Sequence, residues 1–265
     1  MSRLLVSTFI RMLKKVIFWF FVLCMFAYGV YTALNIASEA RIGFVLDRCL
    51  FECLPLMGLI SAIFTSLFIG SEYSDGTIRN KIIVGHSRIR IYLANLIVCA
   101  IASVLISLSY TVGVFVIGNM NGGELITETA TIFLCMISSL MISITFASIM
   151  TLLAILNTNK AGNVVVSMIL ALVLLVSGSF IHQKLGEPKL YDNYVTVNEM
   201  GIPTQVEQLP NPQYIEGTPR IVLEVLSDLL PSGQAIQLAD AFDTEGMTDE
   251  SIAKAPYRWM GYSCW

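Results

Sequence analysis

The sequence predicts an all-α polytopic membrane protein with five transmembrane helices, and three observations carry that expectation. Of its 265 residues 55% are hydrophobic and only 13% charged, where soluble domains carry roughly a quarter charged residues. Five runs, 16–36, 54–70, 91–118, 129–156 and 164–181, contain no Asp, Glu, Lys or Arg. Each is long enough for the ~17–25 residues a helix needs to cross a bilayer core of about 30 Å. The two longest must tilt or extend past the core. Barrel strands would alternate apolar and polar residues, which these runs do not. The first run exceeds the ~7–15 apolar residues of a cleavable signal, so it reads as a retained span.

Residues 1–15 precede that span. Arg3, Ser7, Arg11, Lys14 and Lys15 share about a third of a helical wheel, and Leu5, Val6, Phe9, Ile10, Met12 and Leu13 fill the rest. This is an amphipathic helix expected to lie along a membrane surface, cations toward anionic headgroups and solvent. The distribution of Lys and Arg sets the orientation. With the N-terminus cytoplasmic, the inner side holds Arg3, Arg11, Lys14, Lys15, Arg79, Lys81, Arg88, Arg90 and Lys160, and the short outer loops hold Arg41 and Arg48. The acid-rich segment 182–258 then lies outside.

Hydroxyl and small residues recur at helical spacing within two spans: Ser103, Ser107 and Thr111 in the third, and Ser139, Ser143, Ala147 and Thr151 in the fourth. Such stripes let helix backbones approach and hydrogen-bond, which is the favoured reading; lining a substrate path is the alternative for Ser103, Ser107, Thr111, Ser139 and Ser143. Ion-coupled carriers place Asp, Glu or His inside the membrane. The nearest acid here is Glu52, at the outer edge of the second span and expected to be exposed. Sodium is sometimes held by carbonyls alone, so an ion-coupled secondary carrier stays open as an alternative. The six cysteines show no metal spacing, and His86 and His182 fall on opposite sides of the membrane.

In the outer segment "YVTV" (194–197) alternates like a strand, and Pro203, Pro210 and Pro212 interrupt the stretch after it. Thr218 and Pro219 read as N-cap and first turn of a helix with the apolar stripe Ile221, Val222, Val225, Leu226 and Leu229. "LPSGQAIQLADAF" (230–242) reads as a second amphipathic helix. Together they form a small extracytoplasmic α/β segment, as a folded cap or as short helices dipping into the outer leaflet.

Residues 71–90, "SEYSDGTIRNKIIVGHSRIR", join the second and third spans and concentrate charge between two uncharged runs. Gly76 and Gly85 bracket Thr77–Val84, room for about two helical turns, and the acids precede the cations as a helix dipole favours. A solvated basic loop that fixes topology is one reading; a rigid helix that docks on a cytoplasmic partner is the sharper one.

The strings E-Y-S-D-G-T-I-R and G-H-S-R-x-R-I-Y resemble the cytoplasmic loop of bacterial ABC-2 type ABC-transporter permeases, through Glu72, Tyr73, Gly76, Thr77, Arg79, Ser87 and Arg88. His86 stands where proline is common. The amphipathic start, the span spacing, the long outer segment and "LPSGQ" extend the resemblance along nearly the whole chain. It implies a connecting helix over 1–15, a transmembrane domain over 16–181, and a coupling helix within 71–90 seated on a separate ATPase subunit. It implies docking roles for Glu72, Asp75, Thr77, Arg79 and Arg88. A dimer with a second permease copy or paralogue and contact with membrane lipid are implied too, with no nucleic-acid partner, in a bacterial cytoplasmic membrane. The implied function is the permease subunit of an ATP-driven exporter. A rigid helix fixed between two spans transmits motion that a flexible linker would dissipate.

No G-x-x-x-x-G-K-[ST] phosphate-binding loop occurs in the chain, so the expectation is a non-enzymatic transport subunit that binds no cofactor, with ATP used by its partner. The family template has six spans. Tyr257, Trp259, Tyr262 and Trp265 look like an interfacial aromatic belt, and residues 259–265 read as the start of a sixth span that the sequence lacks. A non-catalytic membrane partner or immunity protein would share the five spans. An intramembrane hydrolase is disfavoured, because G-x-S-x-G is absent and Ser179 and His182 are sequence neighbours.

Overall fold

The computed structural model describes residues 2–39, 45–157, 159–190, 195–197, 203–205 and 210–242. Five of its helices are long and apolar enough to span a membrane: α2 (Val16–Glu39), α3 (Leu54–Ser74), α5 (Arg88–Met120), α6 (Thr129–Leu156) and α7 (Lys160–Gly186). Shorter helices complete the described chain: α1 (Ser2–Lys14), α4 (Thr77–Ile83), α8 (Thr218–Leu229) and α9 (Pro231–Asp240), with a 3-10 turn at Asp47–Cys49 before α3. Two short strands, β1 (Val195–Val197) and β2 (Pro203–Gln205), pair antiparallel between α7 and α8. Pro203 opens β2 where the sequence suggested a break; proline suits a strand's first residue, which need not donate to the ladder. The aromatic cluster 257–265 lies outside the described residues.

In the bundle α2 runs along α5, α5 packs on α6, and α3 sits between α6 and α7. α3 is the most enclosed span, and α2 and α7 are the least. The α2–α5 seam rests on two glycines facing each other's backbones. A Cβ on Gly29 would stand 2.3 Å from the Tyr110 carbonyl oxygen, and one on Gly113 would stand 2.5 Å from that of Phe26. Only glycine allows such an approach, the device by which apolar helices gain contact where hydrophobicity gives no drive.

The hydroxyl stripes lie inside this single bundle. Ser103 donates to the Ser143 carbonyl across α5 and α6 (3.0 Å), and its Oγ is 3.3 Å from Ser61 Oγ on α3. Ser143 donates back to Ser139 O and Thr111 to Ser107 O. Ser103, Ser107, Ser139 and Ser143 are buried. Thr111 is half-buried, and in this single chain the stripes make contacts between and within helices.

At the end distant from α1, Asp47 is wholly buried, and its Oδ2 accepts the backbone N–H groups of Ile126 and Thr127 at 3.1 and 2.8 Å. It ties the 3-10 turn to the α5–α6 loop, while Tyr110 donates to Cys49 O at 2.6 Å. Glu52 is exposed. α9 wedges into the same end: Ala235, Leu238 and Phe242 join the main core, and Phe242 packs on Phe51 with ring centroids 4.8 Å apart. α8 sits outside α9. Gly217, with φ of 79°, occupies its cap position, so Thr218 is the first helical residue instead of the cap.

Candidate partner-docking site

The loop between α3 and α5 is built by its own residues. Gly76 takes φ of 66°, which a side chain would strain, and turns the chain out of α3. Its N–H donates to Tyr73 O, and the Thr77 hydroxyl donates to the Glu72 carbonyl at 2.9 Å, closing the last turn. α4 ends on Gly85, with φ of 95°. There Gly85 N–H donates to Ile82 O and His86 N–H to Lys81 O, the paired contacts of a Schellman motif. Ser87 then caps α5 by accepting from Arg90 N–H.

Beneath α4 lies a carboxylate with no solvent exposure. Glu72 Oε1 pairs with Arg11 from α1 and with Lys81 from α4, the latter at 3.0 Å. Its Oε2 accepts from Lys81 at 3.0 Å and from Asn95 Nδ2 of α5 at 3.1 Å. Lys81 also reaches Thr8 on α1 at 3.4 Å. One anion therefore joins four helices. Taking a lone carboxylate out of water is costly enough that it persists only when paired and hydrogen-bonded, as here.

This geometry redistributes the residues expected to dock. Glu72 is interior and cannot contact a partner; the apolar run stops at Gly70, but the helix continues to Ser74 and carries the acid inward. Thr77 is half-buried with its hydroxyl spent on α3. Asp75 is exposed and lies 3.8 Å from Lys15. Arg79 and Arg88 are exposed, as are Ile83 and Val84, at 72% and 77%. Tyr73 points inward and donates to Ile155 O at 2.8 Å, tying α3 to the end of α6. Of the string that carried the resemblance, Glu72, Tyr73, Gly76, Thr77 and Ser87 make the scaffold, and Arg79 and Arg88 face outward. The sequence reading missed Lys81, Asn95 and the inward turn of Arg11. The spacing of Arg11 in α1 placed it with the solvent-facing cations, and nothing in sequence marks Asn95 among the apolar residues of α5.

The described cysteines are free thiols, and among the described residues no group of His, Cys, Asp or Glu is arranged to hold a metal ion. A search of curated proteins finds no match. The family model described as "ABC-2 family transporter protein" matches residues 6–178, from α1 through most of α7. That is well over half of the chain and includes four of the five apolar helices whole, most of the fifth, and the α3–α5 loop. The chain belongs to the ABC-2 transporter family, as a multi-pass membrane permease subunit of an ABC transporter.

Proposed function

We propose that this chain is the translocating half of an ATP-driven exporter whose separate ATPase subunit seats on α4. The observation that carries the reading is the four-helix join at Glu72. A docked subunit that displaces α4 pulls through Lys81 on Glu72, and so on α1, α3 and α5 together. An isolated loop would bend instead. The exposed residues offered to the partner are Arg79, Ile83, Val84 and Arg88, two cations beside an apolar patch.

In this reading α1, α4 and the α6–α7 turn are cytoplasmic, in keeping with their Lys and Arg, and 182–242 lies outside. ATP is bound and hydrolysed by the partner. Because the hydroxyl seam is sealed within the bundle, the path runs between this chain and a second permease, in a bacterial cytoplasmic membrane.

The test is co-purification with an ATPase subunit encoded beside this gene. Arg79→Glu with Arg88→Glu reverses the outward charge and leaves the Glu72 join intact. Retention of the ATPase at the wild-type level by that double variant would sink the reading. A reporter fused at Glu216 checks the orientation, and a cytoplasmic signal there would overturn it.

A further inference from the structure

The join at Glu72 is unbalanced. One carboxylate is met by two cations, Arg11 and Lys81, whose side chains are only 27% and 11% exposed. A positive charge is therefore left in excess at a site mostly removed from water. Glu72 Oε1 engages one nitrogen of the Arg11 guanidinium, which has further donors to offer. Charge held this way is costly unless an anion meets it.

The open side of the two cations is a groove of about 360 Å³ between α1 and α4. Arg3, Ser7 and Arg11 line it from α1, and Asn80, Lys81 and His86 from α4 and the turn after it. Arg3, Ser7 and Asn80 are exposed, and each of these side chains carries a hydrogen-bond donor. Among the described residues no carboxylate lines the groove. Arg and Lys charges backed by hydroxyl and amide donors are the set that holds a phosphate.

The surroundings indicate where such a phosphate comes from. Val6 and Ile10 stand three positions after Arg3 and Ser7, which makes them neighbours on the helix surface, and both are exposed. Val16 and Trp19, at the start of the span α2, are exposed too. Acyl chains cover apolar residues at the edge of a span, so the anion nearest the groove is a lipid headgroup. A zwitterionic headgroup would bring its own cation to a site already in positive excess. A net-anionic one restores the balance.

We propose that the α1–α4 groove binds the phosphate of one net-anionic phospholipid, with the acyl chains lying over Val6 and Ile10. The headgroup neutralises the excess charge of the Glu72 join and ties α1 to α4 a second time, from outside. The inference does not depend on the docking of an ATPase.

Native mass spectrometry of the full chain in detergent tests it, by titration with dioleoyl-phosphatidylglycerol or dioleoyl-phosphatidylcholine. The anionic lipid should bind as a single retained copy, about tenfold more tightly than the zwitterionic one, on the order of one charge-assisted hydrogen bond. Arg3→Glu and Asn80→Asp each place a carboxylate in the groove without touching Glu72 or its partners, and each should erase the preference. Arg90→Glu makes the same charge change as the first outside the groove and should keep it. Equal binding of the two lipids by the wild-type chain, or an equal loss in Arg90→Glu, overturns the proposal. Inorganic phosphate in large excess should leave the lipid in place; displacement would make the ligand a soluble anion and overturn the lipid. Val84 lies on the groove's rim and on the surface offered to the ATPase, so the assembled complex supplies the last arm. The lipid should stay bound there, and its release on assembly would assign the groove to an acidic side chain of that subunit instead.

Discussion

α1 and α8 are both short amphipathic helices flanking the bundle, and they are mounted in opposite senses. α1 turns Leu4, Thr8 and Met12 into the protein and sends Arg11 inward to a buried carboxylate. α8 buries Ser227 and Asp228 and leaves Ile221, Val222, Val225, Leu226 and Leu229 exposed. Its polar side is met by α9, where Gln237 donates to Ser227 Oγ at 2.6 Å, and by α7, where the Leu185 carbonyl accepts from Arg220 of α8 at 3.1 Å. An apolar stripe therefore does not say which way a helix faces when its surroundings include lipid. What decides is whether the protein supplies partners for the polar side. At α1 a single acid does this, and at α8 a set of neutral amides and hydroxyls.

The largest expected effect breaks α1's mounting. Glu72→Leu leaves the part-buried Arg11 and Lys81 without their anion and should cost about 3–5 kcal/mol, read as thermal unfolding in detergent. Replacing the group together, Glu72→Leu with Arg11→Met and Lys81→Met, should recover most of that stability; on the docking reading proposed above it should still lose ATP-driven transport. Next, Met12→Ala empties a fully buried site on α1 and should cost about 2–5 kcal/mol, whereas Val225→Ala on the outward stripe of α8 should stay within about 0.5 kcal/mol. Equal costs would mean that α8's stripe is covered by protein. Gly113→Ala forces α5 off α2 and should cost about 1–3 kcal/mol. At α8 itself, Gln237→Met removes the donor to buried Ser227 and should cost about 1 kcal/mol.

The smallest effect concerns the exposed Lys189–Glu216 pair, 2.6 Å apart. Hydrogen bonding and charge attraction hold the Glu216 carboxyl below its ordinary range and the Lys189 ammonium above its own. The contribution of Glu216 is present at neutral pH and fades as pH falls through its lowered value; that of Lys189 fades as pH rises through its raised one. Both ends being exposed, Lys189→Ala should leave stability indistinguishable from wild type. It should move the Glu216 titration, followed by NMR, back up toward the usual carboxylate range.

The spans were legible because an uncharged run of that length has few other uses in a folded protein. α4 was legible because its two glycines occupy the left-handed conformations that end helices. Glu72 was not. Charge counting stops a span at the first acid, and only the geometry shows four helices converging on that acid. Asp47 was missed similarly: it reads as a loop residue, and its role depends on two N–H groups about eighty positions away. The hydroxyl stripes were legible as small polar faces at helical spacing, but which helices meet there, α3, α5 and α6 around Ser103, shows only in the fold.

The two facing glycines of α2 and α5 bear on how work crosses the molecule. Backbones that touch without intervening side chains have no compliant layer, so neither helix can slip or roll against the other without a collision. α2 is entered from α1 and α5 from α4, so both handles at that end grip one beam. At its far end Gly118 of α5 abuts Leu46, next to the buried Asp47 that holds the α5–α6 loop. α5 thus joins the Glu72 end of the bundle to the Asp47 end as one continuous helix in backbone contact with α2.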